Sequence, residues 1–414
     1  MNKSNCLTIG LFNFAYAIIW IIALPILVFI KRLRPIAAQR FGIQLPQGPF
    51  DLWIQAASVG EARLALHMLL KLPPDKYPRV LITTNTRQGM ETLQDQVQGR
   101  AELSFFPFDI PLVWAAALRK IKPARLILME TEIWPALLQA CQKQKIPVTI
   151  GNARVSLKSF CRYYSISGIL NTMAPGRILA VSDRDQKRFS WIFPGARVES
   201  MHNIKFDITA STKPIPYVQN PLSSFFKPGH PLIVLASIRE QEESKIQWVI
   251  EKIIQNRPKT TIALFPRHMQ RLPAWKTFFE QCTISWSLRS SLSADTTLPQ
   301  VVLWDKFGEL LSAYALAKSV YVGGSLVPCG GQNFLEPLSQ GVSPCIGPFW
   351  ENFHWVGQEL VSSGLVWMVK DEKDLYHKLT RYASSSRDKV FAGFSKYVEE
   401  RQGGSLDLIN SLER

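Results

Sequence analysis

Along the chain, short apolar runs rich in Val, Ile and Leu alternate with longer stretches whose apolar residues recur at helical spacing. The spacing predicts strands at Leu52–Ala56, Arg79–Thr83, Glu102–Phe106, Arg125–Met129, Val148–Gly151 and Ile178–Val181. Helices are predicted between them at Glu61–Leu70, Pro111–Ile121, Trp134–Lys145, Leu157–Leu170 and Asp183–Ile192. Continuous apolar strands separated by helices indicate a parallel sheet buried on both faces. A Pro-containing polar stretch from Ile208 to Gly229 interrupts the pattern and reads as a linker. The alternation restarts with strand Leu232–Ser237, helix Glu240–Gln255, strands Thr261–Phe265 and Val301–Trp304, helix Glu309–Lys318 and strand Val320–Gly323. The fold class is therefore α/β, with two doubly wound Rossmann-like domains expected at 41–207 and 230–414. Such a pair is expected to hold its ligand in an interdomain cleft, against the carboxyl ends of the strands.

Residues 1–40 are different. The run Ile9–Ile30 has no charged residue, which is long enough to span a bilayer, and it is followed by Lys31, Arg32, Arg34 and Arg40. Only Lys3 precedes it, so the positive-inside rule predicts a single N-terminal anchor with a basic collar and the body in the cytoplasm. The whole chain of 414 residues carries a net charge of +16, which asks for an anionic partner: nucleic acid or an acidic membrane surface. With 47% hydrophobic and 19% charged residues it is neither disordered nor a charged helical rod. The six cysteines form no CxxC pair and the six histidines no HExxH, so no metal or disulfide framework is expected.

Several constellations could carry chemistry. Ser58-Val59-Gly60-Glu61 follows a strand and opens a helix, where Ser58 and Glu61 suit a capping box and Glu61 also suits a general base. In Glu130-Thr131-Glu132-Ile133-Trp134-Pro135, Glu132 is expected to cap the following helix, which leaves Glu130 as the functional carboxylate. Arg154, Lys158 and Arg162 are four apart and would share one helical face, suited to lipid phosphates, if the helix began early enough. In the second half, Gly323-Gly324 and Gly330-Gly331 let backbone amides approach a phosphate, and Glu336 could hold a ribose diol. Arg267 and the Gly308-Glu309 turn add a cation and a further helix start. Asp183-Arg184-Asp185 reads as the acidic start of a helix rather than a metal site. No GxGxxG is present, which disfavours a dinucleotide enzyme.

Taken in order, SVGE at 58–61, ETEIWP at 130–135, NARVS at 152–156, KFD at 205–207, PRH at 266–268, GEL at 308–310, GGSL at 323–326 and GGQNFLE at 330–336 resemble the 3-deoxy-D-manno-octulosonic acid (Kdo) transferase family of lipopolysaccharide synthesis. The resemblance runs from the N-terminal anchor to about residue 355. It implies a GT-B glycosyltransferase that moves Kdo from CMP-Kdo to the glucosamine disaccharide of a lipid A precursor at the cytoplasmic face of the inner membrane. Its partners would be donor, acceptor and membrane lipid, with no nucleic acid and no cofactor. The family's general base falls on Glu61, and its transition-state stabilising residues on Glu130 and Lys205. Its CMP contacts fall on Pro266 and Arg267, on Phe307, Gly308 and Glu309, and on Asn333, Phe334, Leu335 and Glu336. The same resemblance makes residues 41–207 the acceptor-binding domain and 230–414 the CMP-sugar-binding domain.

The chain departs from the usual family pattern in three places. His202 stands where a glycine often precedes the KFD lysine by three, Gln332 replaces the histidine of GGHN, and Ile238–Glu243 replaces a THEGEE-like segment. On this reading the acceptor hydroxyl gives its proton to Glu61 and attacks opposite CMP, inverting the anomeric centre. Lys205 and Arg267 face the charge that develops on the leaving phosphate, so no metal is expected. Two alternatives stand beside this one: a GT-B transferase using another nucleotide sugar, and a non-catalytic protein that binds anionic lipid or nucleic acid.

Overall fold

The computed structural model describes residues 12, 14–23, 33–94, 96–293, 297–381 and 386–413. They form two compact units, one of residues 1–208 and 402–414 and the other of residues 209–401. Each unit is built on one seven-stranded sheet whose strand pairs are all parallel.

The first unit contains β1 (Leu52–Ala56), β2 (Val80–Thr84), β3 (Glu102–Phe105), β4 (Leu126–Met129), β5 (Val148–Ala153), β6 (Arg177–Ala180) and β7 (Arg197–Ser200), in the order β3-β2-β1-β4-β5-β6-β7. Side chains alternate across the sheet as a strand requires. Trp53, Leu126 and Leu128 enter one core cluster, whereas Leu52, Ile54, Ala56, Ile127 and Met129 enter another on the opposite face. The two faces explain why these strands are apolar throughout, since each residue of β1, β2 and β4 is buried. The helix that follows β1, Val59–Lys71, contributes Ala62, Leu64, Ala65, Leu66, Met68 and Leu69 to the second cluster. The helix that follows β4, Pro135–Lys143, contributes Ala136, Leu137, Leu138 and Cys141 to the first. Adjacent strands thus send their helices to opposite faces, which opens a crevice at their carboxyl ends.

The second unit contains β8 (Leu232–Ile238), β9 (Thr261–Pro266), β10 (Trp286–Leu288), β11 (Val301–Leu303), β12 (Ser319–Val322), β13 (Pro344–Ile346) and β14 (Trp367–Met368), in the order β10-β11-β9-β8-β12-β13-β14. Its corresponding reversal lies between β8 and β12.

Two boundaries differ from the sequence reading. The stretch 208–229 is not a free linker from residue 209 onward: Asn220, Leu222 and Phe226 are buried, and Asn220 donates to the Ser312 carbonyl at 2.9 Å. Residues 402–414 return to the first unit, where the helix Gly404–Ser411 packs Leu408 and Ile409 into the core. The basic stripe is also broken. Ser156 caps the helix Leu157–Ser165, so Arg154 lies before it and cannot share a face with Lys158 and Arg162.

Of the apolar N-terminal run, Phe12 and residues 14–23 are described and helical; residues 9–11, 13 and 24–30, with Lys31 and Arg32, lie outside the described residues. Phe12 and Tyr16 pack against the first core cluster, and the Tyr16 hydroxyl donates to Asp109 at 2.6 Å. Among the described residues no helix is long and apolar enough to cross a membrane.

Candidate active site

The first sheet reverses its strand order between β1 and β4, and the carboxylates singled out in the sequence follow those two strands. Ser58 caps the Val59–Lys71 helix by accepting the Glu61 N–H at 3.3 Å. In return the Glu61 carboxylate accepts the Ala57 N–H at 2.7 Å and the Ser58 hydroxyl at 3.0 Å. The capping reading therefore holds, with the return bond one residue earlier than in the usual box. Burial, with the neighbouring charge of Glu130, raises the Glu61 carboxyl above its ordinary value, against the pull of these donors and of Lys205.

Glu130 leaves β4 in a left-handed conformation, φ 57°, with its N–H bonded to the Gly151 carbonyl at 2.9 Å. A non-glycine residue pays about 1 kcal/mol or more for that geometry, and such residues gather at functional sites. The conformation aims the carboxylate at two cations: Lys205 Nζ lies 2.6 Å from Oε1 and Arg154 Nε 3.2 Å from Oε2. Burial lowers the Lys205 ammonium below the usual lysine range, helped by Arg154 and opposed by Glu130.

Asn152, also left-handed at φ 53° and fully buried, accepts the Ile204 N–H at 2.9 Å. It thereby fixes the start of the helix Ile204–Ala210 that carries Lys205. The sequence marks Asn152 within NARVS but gives it no role; only the path of the chain from β5 to residue 204 reveals one.

Glu132 does not cap the helix after β4. Trp134 is the N-cap residue, and the free N–H groups of Ala136 and Leu137 are accepted by Asp109 at 3.1 and 2.9 Å. Asp109, distant in sequence, performs the task that proximity suggested for Glu132. The Glu132 carboxyl instead accepts the Trp134 indole N–H at 2.6 Å and lies within electrostatic reach of Glu61 and Glu130.

In KFD, Asp207 points away from this chemistry. It accepts the N–H groups of Gly403, Gly404 and Ser405 at 2.6, 3.3 and 2.8 Å and so caps the returning C-terminal helix. His202, the departure before Lys205, binds Asp407 through its backbone N–H at 2.9 Å and its ring Nδ1 at 2.8 Å.

In the second unit the residues assigned to CMP also follow strand ends. Pro266 ends β9 and Arg267 is exposed just beyond it, with its N–H on the Ile238 carbonyl at 2.8 Å. Phe307 is 84% exposed, and Gly308 has φ +84°. The Glu309 carboxylate turns inward, accepting Arg289 Nη2 at 3.0 Å and the Trp304 indole N–H at 3.0 Å. Trp304 stacks on Phe265 with centroids 4.3 Å apart, which ties the segment after β11 to the end of β9.

Asn333 donates to Glu336 at 3.0 Å and accepts the Leu335 N–H at 3.1 Å, while Phe334 and Leu335 are buried. Asn333 and Glu336 therefore offer side chains to a ligand, whereas Phe334 and Leu335 support them from below. Glu242, fully buried and given no role by the sequence, accepts the Tyr321 hydroxyl at 2.7 Å and the Gly324 N–H at 2.6 Å. Gly323 sits so close to Glu242 that a Cβ would fall 2.5 Å from its carboxylate, so this loop needs glycine there. Among the described residues no group of three or more His, Cys, Asp or Glu is arranged to hold a metal ion.

The family model described as 3-deoxy-D-manno-octulosonic-acid transferase (kdotransferase) matches residues 36–208. A 3-deoxy-D-manno-octulosonic acid transferase from Bordetella pertussis is 30% identical over 397 residues, covering 91% of this chain and 91% of that protein. Another, from Haemophilus influenzae, is 29% identical over 425 residues, covering 97% and 98%. A crystal structure of UDP-N-acetylglucosamine 2-epimerase shares the fold, with a TM-score of 0.57 at 14% identity over 86% of this chain and 94% of that one.

Proposed function

The chain belongs to the 3-deoxy-D-manno-octulosonic acid (Kdo) transferase family, and from that premise we propose that it transfers Kdo from CMP-Kdo to the glucosamine disaccharide of a lipid A precursor, with Glu61 as the base. The observation that carries this reading is the placement of Glu61, Glu130 and Lys205 around the strand-order reversal of the first sheet. Glu61 takes the proton of the acceptor hydroxyl as that oxygen forms its bond to the anomeric carbon and the bond to the CMP phosphate breaks. The attack comes from the face opposite CMP and inverts the centre. A base with a raised carboxyl is better matched to a hydroxyl proton at neutral pH than an ordinary one. Glu130 holds Lys205 and Arg154 in place, so that cationic charge stands ready without reorganisation.

Arg267, the turn at Gly308 and the pair Asn333 and Glu336 supply the nucleotide's cation, backbone donors and ribose acceptor. The apolar run Ile9–Ile30 with its basic collar supports attachment to the inner membrane, with the body on the cytoplasmic face. Incubation with CMP-Kdo and a tetra-acylated lipid A precursor, followed by mass spectrometry of the lipid, tests the reading. Added Kdo is expected; an unmodified lipid would sink it. Competition by CMP but not UDP is expected as well, and inhibition by UDP instead would assign a different donor.

A further inference from the structure

The strand ends beside the second reversal hold an arginine that the reaction has not used. Arg239 follows Ile238, which pairs with Pro266 of the neighbouring strand, so Arg239 and Arg267 leave adjacent strand ends. Ser237, just before it, is left-handed at φ 55° where the register between β8 and β9 shifts, and strain of that kind gathers at functional sites. Three glutamates follow closely, and none of them pairs with Arg239. Glu240 and Glu243 both hold Arg271, at 2.8 and 2.6 Å. The buried Glu242 is occupied by the Tyr321 hydroxyl and by the N–H groups of Gly324 and of Arg239 itself. Among the described residues the Arg239 guanidinium has no carboxylate partner, and its Nε is buried without an acceptor. A guanidinium only donates, and a buried donor left unmet is unfavourable, so the arrangement asks for an anion.

The glycines beside it do not offer such an anion the donors that the sequence suggested. The Gly323 N–H bonds to the Ala236 carbonyl at 2.8 Å, the Gly324 N–H to Glu242 at 2.6 Å and the Gly331 N–H to the Gly324 carbonyl at 2.7 Å. Three of the four amides expected to meet a phosphate are thus bonded within the protein. What glycine provides at 324 is room: a Cβ there would lie 3.5 Å from Arg239 Cγ and 3.3 Å from Gln332 Nε2. Arg239 and Gln332 belong to two of the chain's departures from the family pattern, and both come to the same glycine.

We propose that Arg239 is a second cation of the nucleotide site, its guanidinium receiving the donor phosphate beside the Gln332 amide and in place of the glycine amides. The idea rests on a nucleotide donor bound by the second unit. The planar fork of an arginine matches two phosphate oxygens at once, which a lysine or a histidine does not. Its charge is fixed across the working pH range, so phosphate binding here needs no side chain to be protonated first. With Arg267 on the neighbouring strand end, two cations stand where the leaving phosphate gains charge.

The test is calorimetric binding of CMP, and of cytidine, which lacks the phosphate, to the full-length enzyme. Arg239→Gln is expected to weaken CMP by about 10-fold to 100-fold and to leave cytidine within about 2-fold. Arg239→Lys, with the charge but not the fork, is expected to fall between wild type and Arg239→Gln for CMP. Equal weakening of CMP and cytidine would mark a role in the fold of the loop and overturn the proposal, as would an unchanged CMP affinity. The phosphorus resonance of saturating CMP is a second readout, one that a merely structural role would not move. A phosphate monoester loses its last proton near pH about 6, and a guanidinium against it favours the dianion. The resonance should therefore titrate at lower pH in the wild type than in Arg239→Gln, and coincident titrations would overturn the assignment. Both measurements read binding without turnover, so a lipid left without Kdo would count against the reaction alone. An effect of Arg239→Gln on UDP instead of CMP would change the base that is read and keep Arg239 on the phosphate.

Discussion

In the proposed mechanism Glu61 serves the helix and the reaction with the same two oxygens. Its carboxylate holds the Ala57 N–H and the Ser58 hydroxyl, which orients it, yet those donors also weaken it as a base. Burial and Glu130 work the other way and win, so the group ionises only above the ordinary carboxylate range. The rate is therefore expected to fall as pH drops through this raised value, because protonated Glu61 cannot accept the acceptor's proton. Glu130→Gln removes one cause of the rise and frees Lys205 to lower the group further, so the acid limb should move to lower pH. A limb that stays put in that variant would show that Glu61 is not the titrating base. Glu61→Gln should fold within about 1 kcal/mol of wild type and lose transfer by roughly 100-fold or more. Thermal unfolding together with initial rates checks both halves, and near-normal turnover would remove Glu61 from its role.

At the scale of elements, two buried carboxylates close helices that start far from them in sequence. Asp207 accepts three backbone N–H groups of the C-terminal helix, and Asp109 accepts two from the helix after β4 together with the Trp114 indole and the Tyr16 hydroxyl. Asp207→Ala should cost about 2 kcal/mol, read as a lower denaturation midpoint, and an unchanged midpoint would mean the helix is held by Leu408 and Ile409 alone. Burial would raise the Asp207 carboxyl, but the donors of Ser405 and Gly403 and the charge of Lys71 hold it below the usual aspartate range. Its folded value is depressed, so its contribution is present above the unfolded value and lost as pH falls through the folded one.

These long-range caps mark where sequence reading stops. The apolar strands β1, β2, β4, β8 and β9 are legible because each is buried on both faces and announces itself by composition. The strands β7, β10 and β14 have no buried residue and so no apolar run to mark them, and β13, Pro-Cys-Ile, opens on a proline that reads as a break. Glu61 and Glu130 could be picked out by their strand ends and by resemblance, and Lys205 by resemblance alone. The work of Asp109, Asn152 and Glu242 depends on partners that only the folded chain brings near.

At the scale of the molecule, the same device appears twice: a parallel sheet whose strand order reverses, with polar residues at the carboxyl ends beside the reversal. The first unit places carboxylates and cations at such ends, after β1, β4, β5 and β7. The second places glycines, an exposed arginine and a short helix start there, after β9, β11 and β12, and has no comparable carboxylate cluster among the residues assigned to the ligand. The net charge of +16 suits a protein whose donor and acceptor are both anionic. That division of labour predicts where a nucleotide acts when offered alone. A ligand at about 100 times its Kd stabilises the folded state by about 2.7 kcal/mol, and the stabilisation is felt first by the segments it touches. CMP should therefore slow amide exchange at residues 266–268, 307–310, 323–326 and 330–336, while the segments around Glu61 and Glu130 exchange as before. Protection confined to the first unit would overturn the assignment of Arg267, Asn333 and Glu336 to the nucleotide. Equal protection by UDP would leave the assignment intact but show that these residues do not select the base.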